Sequence, residues 1–165
     1  MPGQYTVVLT VNGQRYAQPL TIEMDPRVKT PIADLQKQFD LSYEVYQDLL
    51  TLQPVIENVA AARAQLKATR EKATSGDAAK IDKTSKELES LAGGEDLRQR
   101  EPQAETLTGV RASLLLMLTM LQEVDAGPTM QATAAVPKLH QSVASLIEQW
   151  QEMKTKQLVP LTVGP

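Results

Sequence analysis

Apolar residues change their spacing once along this chain, within residues 24–31. Before that segment they recur at every second position, which is typical of a β-strand with one buried face. After it they recur at every third or fourth position, which is typical of amphipathic helices. The pattern therefore predicts a β-hairpin joined to a helical bundle, and a fold class that is mainly α.

The predicted hairpin centres on Asn12-Gly13, a dipeptide that tolerates the positive φ angles of a two-residue type I′ turn. Strands over residues 5–11 and 14–24 would then pair Val11 with Gln14 and place seven apolar residues on one face. These residues are Tyr5, Val7, Leu9, Val11, Tyr16, Leu20 and Ile22.

Two features of this hairpin raise structural questions. Pro19 lacks a backbone N–H, so we expect the second strand to be an edge or to contain a bulge there. A lone hairpin is only marginally stable in water. Its apolar face therefore needs cover, either from the bundle or from strands that lie outside this chain.

Four helices are predicted after the junction. The first opens at Thr30-Pro31, with Thr30 as its N-cap, and extends toward Lys72. Pro54 lies inside this helix, and the sequence leaves open whether the helix kinks or breaks there. A short second helix over residues 77–92 starts with Asp77 as its cap.

The remaining chain is predicted as a loop over residues 93–103, a third helix over 104–124 and a fourth over 129–157 that Pro137 bends. The wide apolar stripe of the third helix indicates a central position. The residues expected in the core are Ile32, Leu35, Phe39, Tyr46, Leu49, Ile56, Val59, Ile81, Leu88, Leu91, Leu107, Val110, Leu114, Leu118, Leu121, Leu139, Val143, Leu146, Trp150 and Met153.

Short connections between helices favour antiparallel neighbours, so we expect an antiparallel up-and-down helical bundle with three long helices and one short one. The predicted units are the hairpin and junction at residues 1–30, the bundle at 31–157 and an extended tail at 158–165.

Composition excludes several classes of function. A net charge of −3 provides no basic field for phosphates, so no nucleic-acid partner is expected. The chain has no cysteine, which rules out disulfides and thiol catalysis. Its longest apolar run, residues 114–118, is far shorter than the roughly 20 residues that cross a bilayer, so no membrane partner is expected. The N-terminal residues show no export signal.

Candidate chemistry is sparse. His140 is the only histidine, and Ser142 points about 200 degrees away from it on a helix, so the two residues do not form a local nucleophile and base pair. Glu44 and Asp48 have the spacing of a carboxylate pair, but we interpret them as a solvated helix face. His140 is interpreted as a structural or solvent-facing imidazole rather than a zinc ligand.

Two further motifs have ordinary explanations. The basic stretch at residues 63–72 is interpreted as the solvent-exposed side of a helix, and Trp150 is expected in the core. We therefore expect no catalytic, metal-binding or cofactor-binding residue, and no enzyme activity in this chain.

Residues 5–46, YTVVLTVNGQRYAQPLTIEMDPRVKTPIADLQKQFDLSYEVY, resemble the C-terminal region of bacterial sortilin-like proteins described as glycosyl hydrolases with BNR repeats. The stretch LLLMLTMLQEVDAGPT at 114–129 looks like the helical tail of that region. In this family a large secreted β-propeller precedes a small β-sandwich, whose last hairpin leads into a helical segment. The Asp-box pattern of the propeller blades does not occur here, so no hydrolytic residue can be transferred.

The resemblance implies a non-catalytic C-terminal accessory or docking module of a larger secreted β-propeller protein. Its partner would be the upstream strands or propeller of that parent protein, and its location would be extracytoplasmic, either secreted or periplasmic. The alternative is a free-standing protein-interaction or homodimerisation domain, in which the hairpin edge or a helix stripe pairs with a second copy.

Overall fold

A computed structural model of the chain, which describes residues 2–94 and 105–158, contains a two-stranded antiparallel sheet followed by four helices. The strands are β1 (Gly3–Val11) and β2 (Gln14–Ile22), and the helices are α1 (Ile32–Arg70), α2 (Ser75–Ala92), α3 (Leu107–Gln122) and α4 (Met130–Met153). A π-helical turn, Lys154–Leu158, extends α4. The mainly α class and the hairpin ahead of the helices are confirmed.

Helices α1 and α2 run antiparallel. Near the end of α1, Arg70 Nε donates a 2.7 Å hydrogen bond to Asp82 Oδ1. One to two turns earlier on α1, Arg63 lies 3.9 Å from the carboxylate of Glu89. Later residues of α2 thus contact earlier residues of α1, as antiparallel helices require.

Helix α3 continues in the direction of α2 and lies beside the first half of α1. At its start, Thr108 Oγ1 donates to the carbonyl oxygen of Ala92 at 2.7 Å, which places α3 where α2 ends. Near its other end, Gln38 Nε2 of α1 donates to the carbonyl oxygens of Leu121 and Val124. Helices α2 and α3 therefore follow each other along α1 and together form one rod.

Helix α4 runs parallel to α1 and completes the bundle. The His140 ring lies 2.8 Å from the Asp48 carboxylate, and Gln157 Nε2 donates to Glu87 Oε2 of α2 at 2.7 Å. The up-and-down bundle thus has three rods, which are α1, the α2–α3 pair and α4. The third helix, predicted as long, has 16 residues.

One hydrophobic core runs along the three rods. It comprises Val45, Leu52, Val55, Val59, Leu66, Ile81, Leu88, Leu91, Leu107, Val110, Leu114, Leu121, Ala132, Val136, Val143, Leu146 and Trp150. The stripes predicted for α2, α3 and α4 belong to this core or pack against it. The stripe predicted for the first half of α1 is wrong in part, because Ile32, Phe39 and Tyr46 are 75%, 46% and 45% exposed.

Two predicted helix caps are corrected. Thr30 does not cap α1, because Pro31 occupies the N-cap position and Thr30 Oγ1 donates to the carbonyl oxygen of Asp125 at 2.5 Å. Asp77 does not cap α2, because Thr74 precedes the helix and Asp77 lies in its first turn, where a negative charge favours the exposed amides. Neither helix has a side-chain hydrogen bond at its N-cap.

Several predicted boundaries also differ. Helix α3 begins at Leu107, after the Thr106 cap, and ends at Gln122 rather than Val124. The predicted start at Ala104 and the loop over residues 95–103 lie outside the described residues. Leu158, predicted in the extended tail, belongs to the π-helical turn, and residues 159–165 lie outside the described part.

Both internal prolines lie within continuous helices. Helix α1 passes through Pro54 without a break, and α4 passes through Pro137. Both proline rings lie on exposed positions. The carbonyl groups that lose a helical hydrogen bond are therefore close to solvent, which can satisfy them.

Candidate functional sites

The hairpin has the predicted turn and register. Asn12 and Gly13 have φ angles of 50° and 82°, as a type I′ turn requires. Pairing is continuous from Gly3 opposite Ile22 to the closing pair at the turn, with no bulge among the paired residues. Pro19 therefore lies in an edge strand, which is one of the two predicted alternatives.

The apolar face of the hairpin is exposed. Its seven large apolar side chains are Tyr5, Val7, Leu9, Val11, Tyr16, Leu20 and Ile22, and each is between 42% and 60% exposed. The described helices therefore leave this face uncovered. Of the two sources of cover expected from the sequence, the bundle and strands outside this chain, the bundle does not provide it. Contiguous exposed apolar patches of this kind typically mark interaction surfaces.

A groove joins the base of the hairpin to the bundle. Its volume is about 340 Å³, and its lining includes Ile22 and Met24 from the hairpin side, Leu35 and Phe39 from α1, and Gln122 from α3. Ile22 belongs to both this groove and the apolar face of the hairpin. The exposed apolar surface is therefore continuous from the hairpin onto α1.

Helix α1 carries an apolar stripe on its outer side that the sequence interpretation assigned partly to the core. Phe39, Tyr43, Tyr46 and Leu50 follow one another at steps of four, three and four residues, and each is 45–55% exposed. The rings of Phe39 and Tyr43 stack with centroids 6.0 Å apart. The first half of α1 is apolar on two sides, and periodicity alone does not decide which side is buried.

Asp48 and His140 connect α1 to α4 by a 2.8 Å hydrogen bond between Oδ1 and Nδ1. The Asp48 side chain is 6% exposed, whereas that of His140 is 61% exposed. The hydrogen bond to Asp48 and its negative charge raise the pKa of His140 above the usual value, and the charge of Glu44 adds to the effect. The interpretation of Asp48 as part of a solvated face is therefore wrong, because the carboxylate points toward α4.

The structure does not bring Ser142 to the Asp48–His140 pair. Ser142 Oγ faces Glu105 Oε1 at 3.4 Å, and no hydrogen bond between Ser142 and His140 occurs in the described chain. Within residues 2–94 and 105–158, no three acidic, histidine or cysteine side chains gather closely enough to hold a metal ion. The Asp48–His140 contact is chemically suited to holding α4 in register with α1.

The basic stretch is only partly the solvent side of a helix. Arg63 and Arg70 of this stretch are about half-exposed and form ion pairs with Glu89 and Asp82 across the α1–α2 contact. Trp150 is 4% exposed and packs in the core, which confirms its predicted position.

Fold and surface together define a mainly α, three-rod bundle that presents an uncovered β-hairpin at one end. Comparison of this chain with protein families, with curated proteins and with solved structures finds no match. Among the described helices, none combines the length and apolar character needed to cross a membrane.

Proposed function

We propose that this chain is a non-catalytic docking module, in which the hairpin joins β-structure supplied by another part of a larger protein and the bundle anchors the hairpin. The observation that carries the proposal is the apolar face of the hairpin, whose seven large side chains are 42–60% exposed. Burying a valine or leucine side chain fully is worth about 1.5–3 kcal/mol, so several such residues favour a partner sheet.

The nature of the bundle supports a docking role for the hairpin. The core is continuous along α1, α2, α3 and α4, so the helices are packed without any contribution from the strands. A packed bundle can hold a hairpin that gains its own stability only on joining further strands, because three or more strands are needed for an independently stable sheet.

The proposed parent is a larger secreted β-propeller protein of the sortilin-like, glycosyl hydrolase-like kind. Support comes from the resemblance of residues 5–46 and 114–129 to the end of such proteins. In this proposal the partner is the upstream sheet or propeller, the location is extracytoplasmic, and any hydrolytic residues belong to the parent rather than to this chain.

A second candidate function is homodimerisation by a free-standing chain. It is favoured by the same uncovered hairpin, because an identical copy can also supply strands and apolar cover. The two candidates differ in whether the covering strands are encoded upstream of Tyr5 or come from a second molecule.

Amide hydrogen exchange tests the docking proposal. A longer polypeptide that extends upstream of residue 1 is compared with the 165-residue chain at low micromolar concentration, where a weak dimer is dissociated, and exchange is followed over residues 4–10. We expect much slower exchange of these amides in the longer polypeptide and unchanged exchange in the core of α1, which serves as the internal control.

Two outcomes contradict the parent-protein proposal. The first is an upstream coding sequence that contains neither strand patterns nor propeller repeats. The second is equal exchange over residues 4–10 in both polypeptides, because strands that joined the hairpin would protect its edge amides.

A further inference from the structure

The two edges of the hairpin are not equivalent. In a two-residue turn, the amide of Gln14 bonds the carbonyl group of Val11, so this closing pair exchanges hydrogen bonds. Hydrogen-bonded and non-hydrogen-bonded pairs alternate along antiparallel strands. The Thr6–Pro19 pair is therefore of the non-hydrogen-bonded kind, and the proline nitrogen faces away from β1.

Pro19 thus closes the outer edge of β2 without weakening the hairpin. An incoming strand at that edge would lose a donor and meet the proline ring, and Arg15 adds a charge to the same edge. Proline and charge at an edge are features by which proteins prevent strand addition.

The outer edge of β1 is open. By the same alternation, the N–H groups of Gln4, Thr6, Val8 and Thr10 face away from β2. The strand Gly3–Val11, with sequence GQYTVVLTV, contains no charged residue and no proline. This nine-residue edge can therefore take on a further strand, and it lacks the features that protect an edge.

We propose that β1 pairs with β1 of a second copy of this chain, antiparallel about a twofold axis at Val7, to form a four-stranded sheet. The inference rests on the second candidate function, homodimerisation through the hairpin, and names the edge and the register. Upstream strands joined to the same edge of β1 would exclude this pairing. Full overlap of the two strands places Tyr5 opposite Leu9 of the other copy and Val7 opposite its own counterpart. It also pairs the outward amides of Thr6 and Val8, with about eight hydrogen bonds in all.

The chemistry of β1 suits an identical partner. Neither copy of β1 carries a charged residue, so the antiparallel pairing places no like charges opposite each other. Because the odd-numbered residues of both strands lie on the same face, the two apolar faces merge into one. The dimer also exceeds the three strands that an independently stable sheet needs.

The size of the contact is sufficient for a weak dimer. Nine residues span about 30 Å and a sheet is about 10 Å thick, so the pairing covers about 300 Å² on each copy and roughly 600 Å² in total. That area is below the about 1,200 Å² of stable interfaces, so the contact belongs to the weak, transient class and we expect dimerisation at high protein concentration.

Closure of the other edge limits strand addition to two copies. Once both β1 edges are paired, the sheet ends on each side in a β2 strand that carries Pro19. A ribbon with two open edges would add strands without limit, whereas this one closes as a twofold dimer.

Light scattering coupled to size exclusion tests the assembly. The chain of 18.1 kDa should approach twice that mass as its concentration rises from low micromolar to near millimolar, and then level off. A constant mass of 18.1 kDa, or a mass that keeps rising beyond the dimer, overturns the proposal. A constant monomer still leaves the docking role itself to the amide-exchange experiment, so the two failures are distinguishable.

Cysteine substitution tests the register, because the native chain has no cysteine. In Val7→Cys the two introduced thiols face each other in a non-hydrogen-bonded pair, whose Cα separation of about 4.5 Å suits a disulfide. In the control Val11→Cys the two thiols lie about 26 Å apart along the strands. Rapid cross-linking of Val7→Cys alone supports the register, and equal cross-linking of both variants overturns it.

A matched pair of proline variants tests the edge. Val8 and Ala17 are cross-strand partners, and both amides face outward, so neither Val8→Pro nor Ala17→Pro removes a hydrogen bond of the hairpin. We expect Val8→Pro to abolish the dimer and Ala17→Pro to leave it unchanged. Equal behaviour of the two variants overturns the choice of β1, and the cysteine variants decide the register independently should Val8→Pro disturb folding.

Discussion

Asp48 Oδ1 accepts a 2.8 Å hydrogen bond from His140 Nδ1, and this contact joins the middle of α1 to the first half of α4. Asp48 is buried, whereas His140 reaches solvent. The second carboxylate oxygen, Oδ2, is buried and has no hydrogen-bond partner among the described residues. The imidazole is therefore the main compensation for a buried carboxylate.

Removing the imidazole should destabilise the bundle. His140→Ala leaves the Asp48 carboxylate buried without its partner, and we expect a loss of about 1–3 kcal/mol in the free energy of unfolding. Urea denaturation followed by Trp150 fluorescence measures it. The neighbouring exposed substitution Gln141→Ala is the control and should have little effect.

The double variant Asp48→Leu/His140→Ala separates the two contributions. Replacing both partners by apolar groups removes the unpaired carboxylate, so the double variant should be more stable than His140→Ala alone. A double variant that is less stable than the single one would contradict the idea that the unpaired carboxylate causes the loss.

Stability should depend on pH through His140. Its pKa is raised in the folded chain, so the stabilisation from the charged ring is fully present below the unfolded value of about 6.5. The contribution is lost as pH rises through the folded pKa. Urea midpoints measured from below about pH 6.5 to above the folded pKa of His140 should fall in the native chain and should not show this fall in His140→Ala.

The same shift can be measured directly, since the chain contains a single histidine. An NMR titration of its ring should give a pKa above about 6.5. In Asp48→Asn the pKa should fall, because the largest cause of the shift is removed. Equal values in both proteins would show that the contact does not persist in solution.

Truncations should distinguish the hairpin face from the core. Leu9 is 60% exposed and Leu52 is fully buried. We expect Leu52→Ala to cost about 2–5 kcal/mol of bundle stability, and Leu9→Ala to cost under about 0.5 kcal/mol when both are measured at low protein concentration. A large loss for Leu9→Ala would mean that another part of the chain covers the hairpin.

Gly93 should resist substitution. It ends α2 with φ of +80°, and a Cβ there would lie 2.5 Å from Thr106 Oγ1. Gly93→Ala should therefore cost more than the about 1–3 kcal/mol of backbone strain alone, as measured by urea denaturation. Gly13→Ala is the comparison, because Gly13 also has positive φ but its Cβ would meet open space. It should leave bundle unfolding unchanged.

Short-range sequence patterns correctly predicted the hairpin turn and the buried sides of two helices. Asn12-Gly13 specified the turn, and a turn of two residues determines the whole register of the hairpin. The stripes of α2 and α4 identified Ile81, Leu88 and Trp150 as core residues, because each helix is apolar on one side only.

The sequence interpretation failed where more than one local solution exists. Thr30 and Asp77 are both acceptable caps, but the helices begin elsewhere because Thr30 bonds Asp125 across the bundle and Thr74 precedes α2. Asp48 looked solvated because its contact with His140 spans 92 residues, which no helical spacing reveals.

By itself, the sequence determined the type of each element, the hairpin register and most of the core, because these depend on spacing along one strand or one helix. Tertiary structure decided three further properties: that α2 and α3 share a rod, that Asp48 is buried against α4, and that the apolar face of the hairpin stays exposed. Each of these depends on which surfaces meet, and burial is a property of two packed elements rather than of either sequence pattern alone.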